Sequence, residues 1–144
     1  MKTVRDLLRE KGTQIHSTTP DDTVYDALQL MADKNIGALI VFEGDRMVGL
    51  ISERDYARKI VLKNKFSRET AVAEIMSRDV VTVSPDRNLE ECMEVIIARR
   101  IRHLPVVEDD QVLGIISIGD IVKGIIEHKE FVIEQLEFYI KGWR

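Results

Sequence analysis

Apolar residues along the chain recur in two rhythms. Val24, Ala27, Leu28 and Met31 step by three or four positions, as do Leu89, Met93, Ile96 and Ile97, and each set predicts the buried face of a helix. β-Branched runs at 37–42 and 103–107 lead through polar turns at 43–46 and 108–111 into further apolar runs at 47–51 and 112–116, which predicts two pairs of strands. Shorter β-rich stretches at 14–18 and 80–83 predict an entry strand for each half. Thr19-Pro20-Asp21 and Ser84-Pro85-Asp86 then predict helix starts, with a hydroxyl cap and proline in the first turn. A second helix is predicted in each half, from Glu53 and from Ile118. Residues 4–8 and 72–76 echo one another as short amphipathic entry helices, and 63–68 is polar and turn-like.

The two halves are copies. Pro20 and Pro85 lie 65 positions apart, and the same offset sets Gly49 over Gly114, Ser52 over Ser117 and Asp55 over Asp120 without a gap. Ile36, Leu39, Val41, Glu43 and Ile51 likewise fall on Ile101, Leu104, Val106, Glu108 and Ile116. A β-α-β-β-α order found twice predicts an α+β fold of two units, 1–70 with its entry helix and 71–144 with a long final helix. A unit of that size buries too little apolar surface alone, so the two are expected to pack together.

Composition narrows the function. With 44% hydrophobic and 32% charged residues the chain is globular, and a net charge of -4 is the wrong sign for a nucleic-acid or anionic-membrane binder. The charged first dozen residues do not read as an export signal, no run approaches a membrane span, and the lone Cys92 fits a reducing compartment, so the cytoplasm is expected. His16, His103 and His128 are too scattered for a metal site, and Cys92 aligns with Ala27 as a buried thiol. No phosphate loop, dinucleotide fingerprint or catalytic triad is visible, so catalysis is not expected.

Taken together, the Thr/Ser-Pro-Asp starts, the segment Ile101-Arg102-His103-Leu104-Pro105-Val106 and the motifs Gly49-Leu50-Ile51-Ser52-Glu53-Arg54-Asp55 and Gly114-Ile115-Ile116-Ser117-Ile118-Gly119-Asp120 resemble the tandem cystathionine β-synthase (CBS) domain pair, or Bateman module, in its stand-alone form. The resemblance covers nearly the whole chain. It implies clefts between the units, dimerisation as a disc, and ribose hydroxyls of an adenine nucleotide held by Asp55 and Asp120.

Chemistry supports those residue types. A carboxylate accepts two charge-assisted bonds from vicinal hydroxyls, and Ser52 and Ser117 begin helices whose free N–H groups face anions. Ser-x-x-Asp is equally a variant of the capping box, and both roles stay open. Arg54, Arg58, Arg102 and His103 are the candidates for phosphate and ribose. The resemblance further implies Ile15, His16, Gly37, Ala38, Val80, Val81, Leu104 and Pro105 as the candidates for the adenine pocket.

The expected function is a non-catalytic sensor of adenosine-containing ligands such as AMP, ATP or NAD(H), acting as a homodimer on a separate effector protein. The alternative is a structural adapter with vestigial clefts. A stripe of Val122, Ile126, Ile133, Leu136, Ile140 and Trp143, widened by Phe131, Phe138 and Tyr139, predicts that the final helix packs on a second chain or across both units. Its acidic polar face argues against a membrane surface.

Overall fold

The computed structural model describes residues 2–142, which divide into two compact units. The first unit is Ile15–Val81; the second combines the segments on either side of it. Trp143 of the expected stripe lies outside the described residues, as does the side chain of Tyr139. In chain order the elements are α1 (Val4–Lys11), β1 (Ser17–Thr18), α2 (Val24–Lys34), β2 (Ala38–Glu43), β3 (Arg46–Ser52), α3 (Glu53–Tyr56), α4 (Val72–Ile75), α5 (Leu89–Arg99), β4 (His103–Glu108), β5 (Gln111–Ser117) and α6 (Ile118–Gly142). The fold is α+β, as the order of predicted elements requires.

The two ladders are built alike. β2 and β3 are antiparallel from Ala38↔Ser52 to Glu43↔Arg46, with a bulge between Val41 and Phe42. β4 and β5 run from His103↔Ser117 to Glu108↔Gln111, with the bulge at the equivalent place, between Val106 and Val107. In the first unit β1 adds a parallel strand through Ser17↔Ile40 and Thr18↔Val41. In the second the entry strand shrinks to Val83, which bridges to Val106; Val83 N–H donates to Pro105 O at 3.1 Å and Val83 O accepts from Val107 N–H at 2.9 Å.

Neither Ser/Thr-Pro-Asp segment starts a helix. Each forms a turn closed by Asp22 N–H to Thr19 O (3.2 Å) or Arg87 N–H to Ser84 O (3.3 Å), with proline at the turn position that its fixed φ favours. The caps come later: Thr23 Oγ1 accepts from Asp26 N–H at 3.1 Å for α2, and Asn88 Oδ1 from Glu91 N–H at 2.8 Å for α5. The stripe of α5 is likewise rotated from expectation. Leu89, Cys92 and Ile96 are buried, whereas Ile97 is 68% exposed because it lies a step further round the helix. After α3 the chain widens into a π-helical stretch, Ala57–Val61, where a plain helix was expected.

The units divide the entry helices in a way that differs from the expected boundary at 70/71. α1 packs with the second unit, and α4, which follows the first unit in sequence, packs with the first. Backbone pairing gives the reason. Val4 N–H donates to Arg87 O, Arg5 N–H to Pro85 O, and Leu89 N–H to Lys2 O; in the first unit Val72 N–H donates to Asp22 O, Ala73 N–H to Pro20 O, and Val24 N–H to Thr70 O. Lys2, Val4, Arg5 and Leu8 thus correspond to Thr70, Val72, Ala73 and Met76. Each helix lies over a strand glycine, since a Cβ on Gly114 would meet Leu8 Cδ2 at 2.9 Å and one on Gly49 would meet Met76 Sδ at 2.6 Å.

The first core gathers Val24, Ala27, Met31, Leu39, Val41, Ile51, Ile60, Val72 and Ile75. In the second unit Val4, Leu7, Leu89, Cys92, Ile96, Leu104, Val106, Ile116 and Ile121 are buried. Beyond Ile121 and Gly124, α6 keeps Ile126, Phe131, Ile133, Leu136, Phe138 and Ile140 exposed.

Candidate functional site

Each hairpin ends on a serine that turns directly into a helix. Ser52 closes β3 and caps α3; Ser117 closes β5 and precedes α6. The first N–H of each helix is taken by the strand entry opposite: Glu53 N–H donates to Gly37 O at 3.1 Å and Ile118 N–H to Arg102 O at 2.8 Å. Both motifs then form the reciprocal cap. Asp55 N–H donates to Ser52 Oγ at 3.3 Å, while Asp55 Oδ2 accepts from Ser52 N–H at 2.9 Å and from Ser52 Oγ–H at 3.1 Å. Asp120 N–H donates to Ser117 Oγ at 3.1 Å, and Asp120 Oδ2 accepts from Ser117 N–H at 2.9 Å. The capping reading is therefore realised at both sites, and it fixes the carboxylate rotamers. Neither side chain points into open solvent: Asp55 is 14% exposed and Asp120 is 27% exposed.

Each carboxylate also holds a lysine, but from different places. Lys59 Nζ lies 3.1 Å from Asp55 Oδ1, one helical turn on, and donates to Ile75 O at 2.7 Å. Lys11 Nζ, from the last turn of α1, donates to Asp120 Oδ2 at 2.6 Å and to Ile115 O at 2.9 Å. Lys59 was readable as the neighbour of Arg58. Lys11 was not, since only the pairing of α1 with the second unit brings it to Asp120; its sole signal is the following Gly12, which caps α1 at a φ of 96°.

Burial by itself would raise the Asp120 carboxyl, yet the bonds from Lys11 and Ser117 N–H outweigh it and hold the group below the usual carboxylate range. His103, half-buried opposite Ser117, is pushed below its ordinary value by burial first and then by the Lys11 charge, with Asp120 opposing and Arg102 adding to the lowering.

The remaining expected residues fall into two groups. With Asp55 in the first unit are Ile15, His16, Gly37, Arg54, Val80 and Val81, all half-buried, the buried Ala38, and Arg58, which is exposed. With Asp120 in the second are exposed Arg102, half-buried His103, and Leu104 and Pro105, both buried. Among the described residues no cluster of His, Cys, Asp and Glu has the makings of a metal site, and no helix is long and apolar enough to cross a membrane.

A family model for the CBS domain matches residues 4–62 and 72–127. The chain is 38% identical over 150 residues to the CBS domain-containing mitochondrial protein CBSX3 of Arabidopsis thaliana, covering 97% of this chain and 72% of that protein. Among solved structures it resembles a protein with CBS domains from Burkholderia ambifaria, at a TM-score of 0.85 and 46% identity over 88% of this chain and 95% of that one. It also resembles CBSX2 solved in complex with AMP, at a TM-score of 0.72 and 25% identity, covering 90% and 99% of the two chains.

Proposed function

The chain belongs to the CBS-domain family, and from that premise we propose that it is a non-catalytic regulatory module that binds an adenine nucleotide and reports it to a separate effector protein. One observation carries the reading. The same capped carboxylate stands at the same ladder register in both units, and a structural relative of this fold holds AMP. In each cap Oδ2 is bound to serine N–H, so Oδ1 of Asp120 is the oxygen outside the cap for a ribose hydroxyl, and the second hydroxyl would compete for the place that Lys11 occupies. Asp55 offers the same cap with Lys59 on Oδ1. Ser52, Ser117, Arg54, Arg58, Arg102 and His103 would serve the sugar and phosphates of AMP, ATP or NAD(H). Ile15, His16, Gly37, Ala38, Val80, Val81, Leu104 and Pro105 are assigned to the adenine, with Ala38, Leu104 and Pro105 lending backbone more than exposed side chain.

The module is expected to act as a homodimer. Ile126, Ile133 and Ile140 recur every seven residues, Leu136 falls three beyond Ile133 as the alternate position of a helix seam, and all four are exposed. Ligand alters such a module only through different affinity for its two states.

The test is a thermal-shift panel of AMP, ADP, ATP, NAD, NADH and S-adenosylmethionine. A true ligand at 100 times its Kd adds about 2.7 kcal/mol of stability. No response from any of them, with self-association intact, overturns the nucleotide reading in favour of a structural adapter.

A further inference from the structure

Among the described residues, Lys11 is the one charged group that a distant segment delivers to Asp120. α1 is held firmly for the purpose: Val4 and Arg5 N–H groups bond the turn at Pro85–Arg87, and the Arg5 guanidinium bridges Asp86 at 3.3 Å and Glu108 at 2.9 Å. At the far end of the same helix Lys11 Nζ is fixed between Asp120 Oδ2 and Ile115 O. The first unit has no counterpart. Under the correspondence of α1 with α4, the residue matching Lys11 is Asp79, and the cation on Asp55 comes instead from the next turn of its own helix.

We propose that Lys11 is a specificity-determining residue of the Asp120 site, selecting phosphorylated adenine ligands over the free nucleoside; this rests on the nucleotide reading above. A ribose that takes the Asp120 carboxylate must draw it away from an ammonium 2.6 Å distant. A nucleoside returns nothing to the displaced cation. A phosphate does, because it is a second anion within reach of a flexible four-carbon side chain. The need for that cation is acute here, since Asp120 is itself ionised and would repel a phosphate, and His103 is neutral near pH 7 and supplies a donor without charge. Arg102 is then the other cation close to the site, and it is exposed.

The test is calorimetric titration of AMP and of adenosine into the full chain, as wild type, Lys11→Met and Lys11→Arg. Wild type is expected to favour AMP by about tenfold or more, Lys11→Arg to keep the preference, and Lys11→Met to bring the two ligands within about twofold. Adenosine should bind Lys11→Met at least as well as wild type, having no ion pair to break. A Lys11→Met protein that keeps the full AMP preference, or that loses both ligands equally, overturns the role of Lys11 while the nucleotide reading stands. Wild type that binds neither ligand overturns both. Should Lys11→Met fold poorly, Lys11→Gln takes its place with the same outcomes, and a wild-type AMP preference that high salt leaves unchanged overturns the proposal, since a preference made by a cation must narrow.

Discussion

His103 pairs with Ser117 across the β4–β5 ladder, so an imidazole faces the residue that caps α6 and feels the charges of both Lys11 and Asp120. Ala38 holds the equivalent place opposite Ser52, so at this ladder end the duplicated units differ by an imidazole.

That placement gives a pH dependence. Because His103 has a lower pKa folded than unfolded, the unfolded chain binds the extra proton first as pH falls through the ordinary value of 6.5. Stability contributed by neutral His103 is present above that pH and declines as pH drops from it toward the folded value. Urea midpoints for wild type between pH 7.5 and 5.5 should fall, and His103→Gln should flatten the fall. An unchanged slope in the variant would assign the dependence elsewhere.

Asp120 acts in the same direction but in a lower pH range. Its lowered carboxyl contributes stability that is lost only as pH falls below about 4. Replacing it removes both a reciprocal cap and the Lys11 bridge. Asp120→Ala should therefore cost about 1 kcal/mol without any ligand, and Ser117→Ala and Ser52→Ala about as much each, read from urea midpoints at constant m-value.

The strand glycines make a discriminating pair. A Cβ at Gly49 meets Met76 Sδ at 2.6 Å and the backbone oxygen of Ser77 at 2.9 Å, and Ser77 is tied to Leu50 by two backbone bonds. At Gly114 the clash is with the tip of the Leu8 side chain alone. Gly49→Ala should destabilise by about 1–3 kcal/mol and Gly114→Ala by less, because a side chain rotates more easily than a paired backbone moves. Equal losses would show that Leu8 is as fixed as the strand.

Cys92 offers an internal clock. Fully buried in α5, its thiol is pushed up to about 11, by burial first and then by Glu91. A disulfide reagent at pH 7.5 should leave it unmodified in folded protein and label it at the rate of unfolding. Rapid labelling of the native chain would contradict this burial.

On α6, Leu136 is 57% exposed and sits in the seam of Ile133 and Ile140. Leu136→Glu should leave the melting of the units nearly unchanged and shift the mass in light scattering from dimer to monomer. A dimer of undiminished mass would place the contact elsewhere.

Much of this protein is written locally and written twice. Strand pairs, α2, α5 and α6 follow from periodicities that any eleven-residue window carries, and the repeat of Ser52–Asp55 in Ser117–Asp120 located the carboxylates. Where the sequence misled, the local pattern offered a near alternative: Thr19 against Thr23 as a cap, or Ile97 beside Ile96 and Cys92 as a core position. Packing the helix on its ladder decided them. Lys11 was beyond any local pattern. Nothing in residues 1–14 says which half they join, because the amphipathic stripe of α1 fits either copy, and only the bonds at Val4, Arg5 and Leu89 commit it to the second. Periodicity specifies which face of an element is buried; the partner across that face, 109 residues away for Lys11 and Asp120, is set by long-range packing alone.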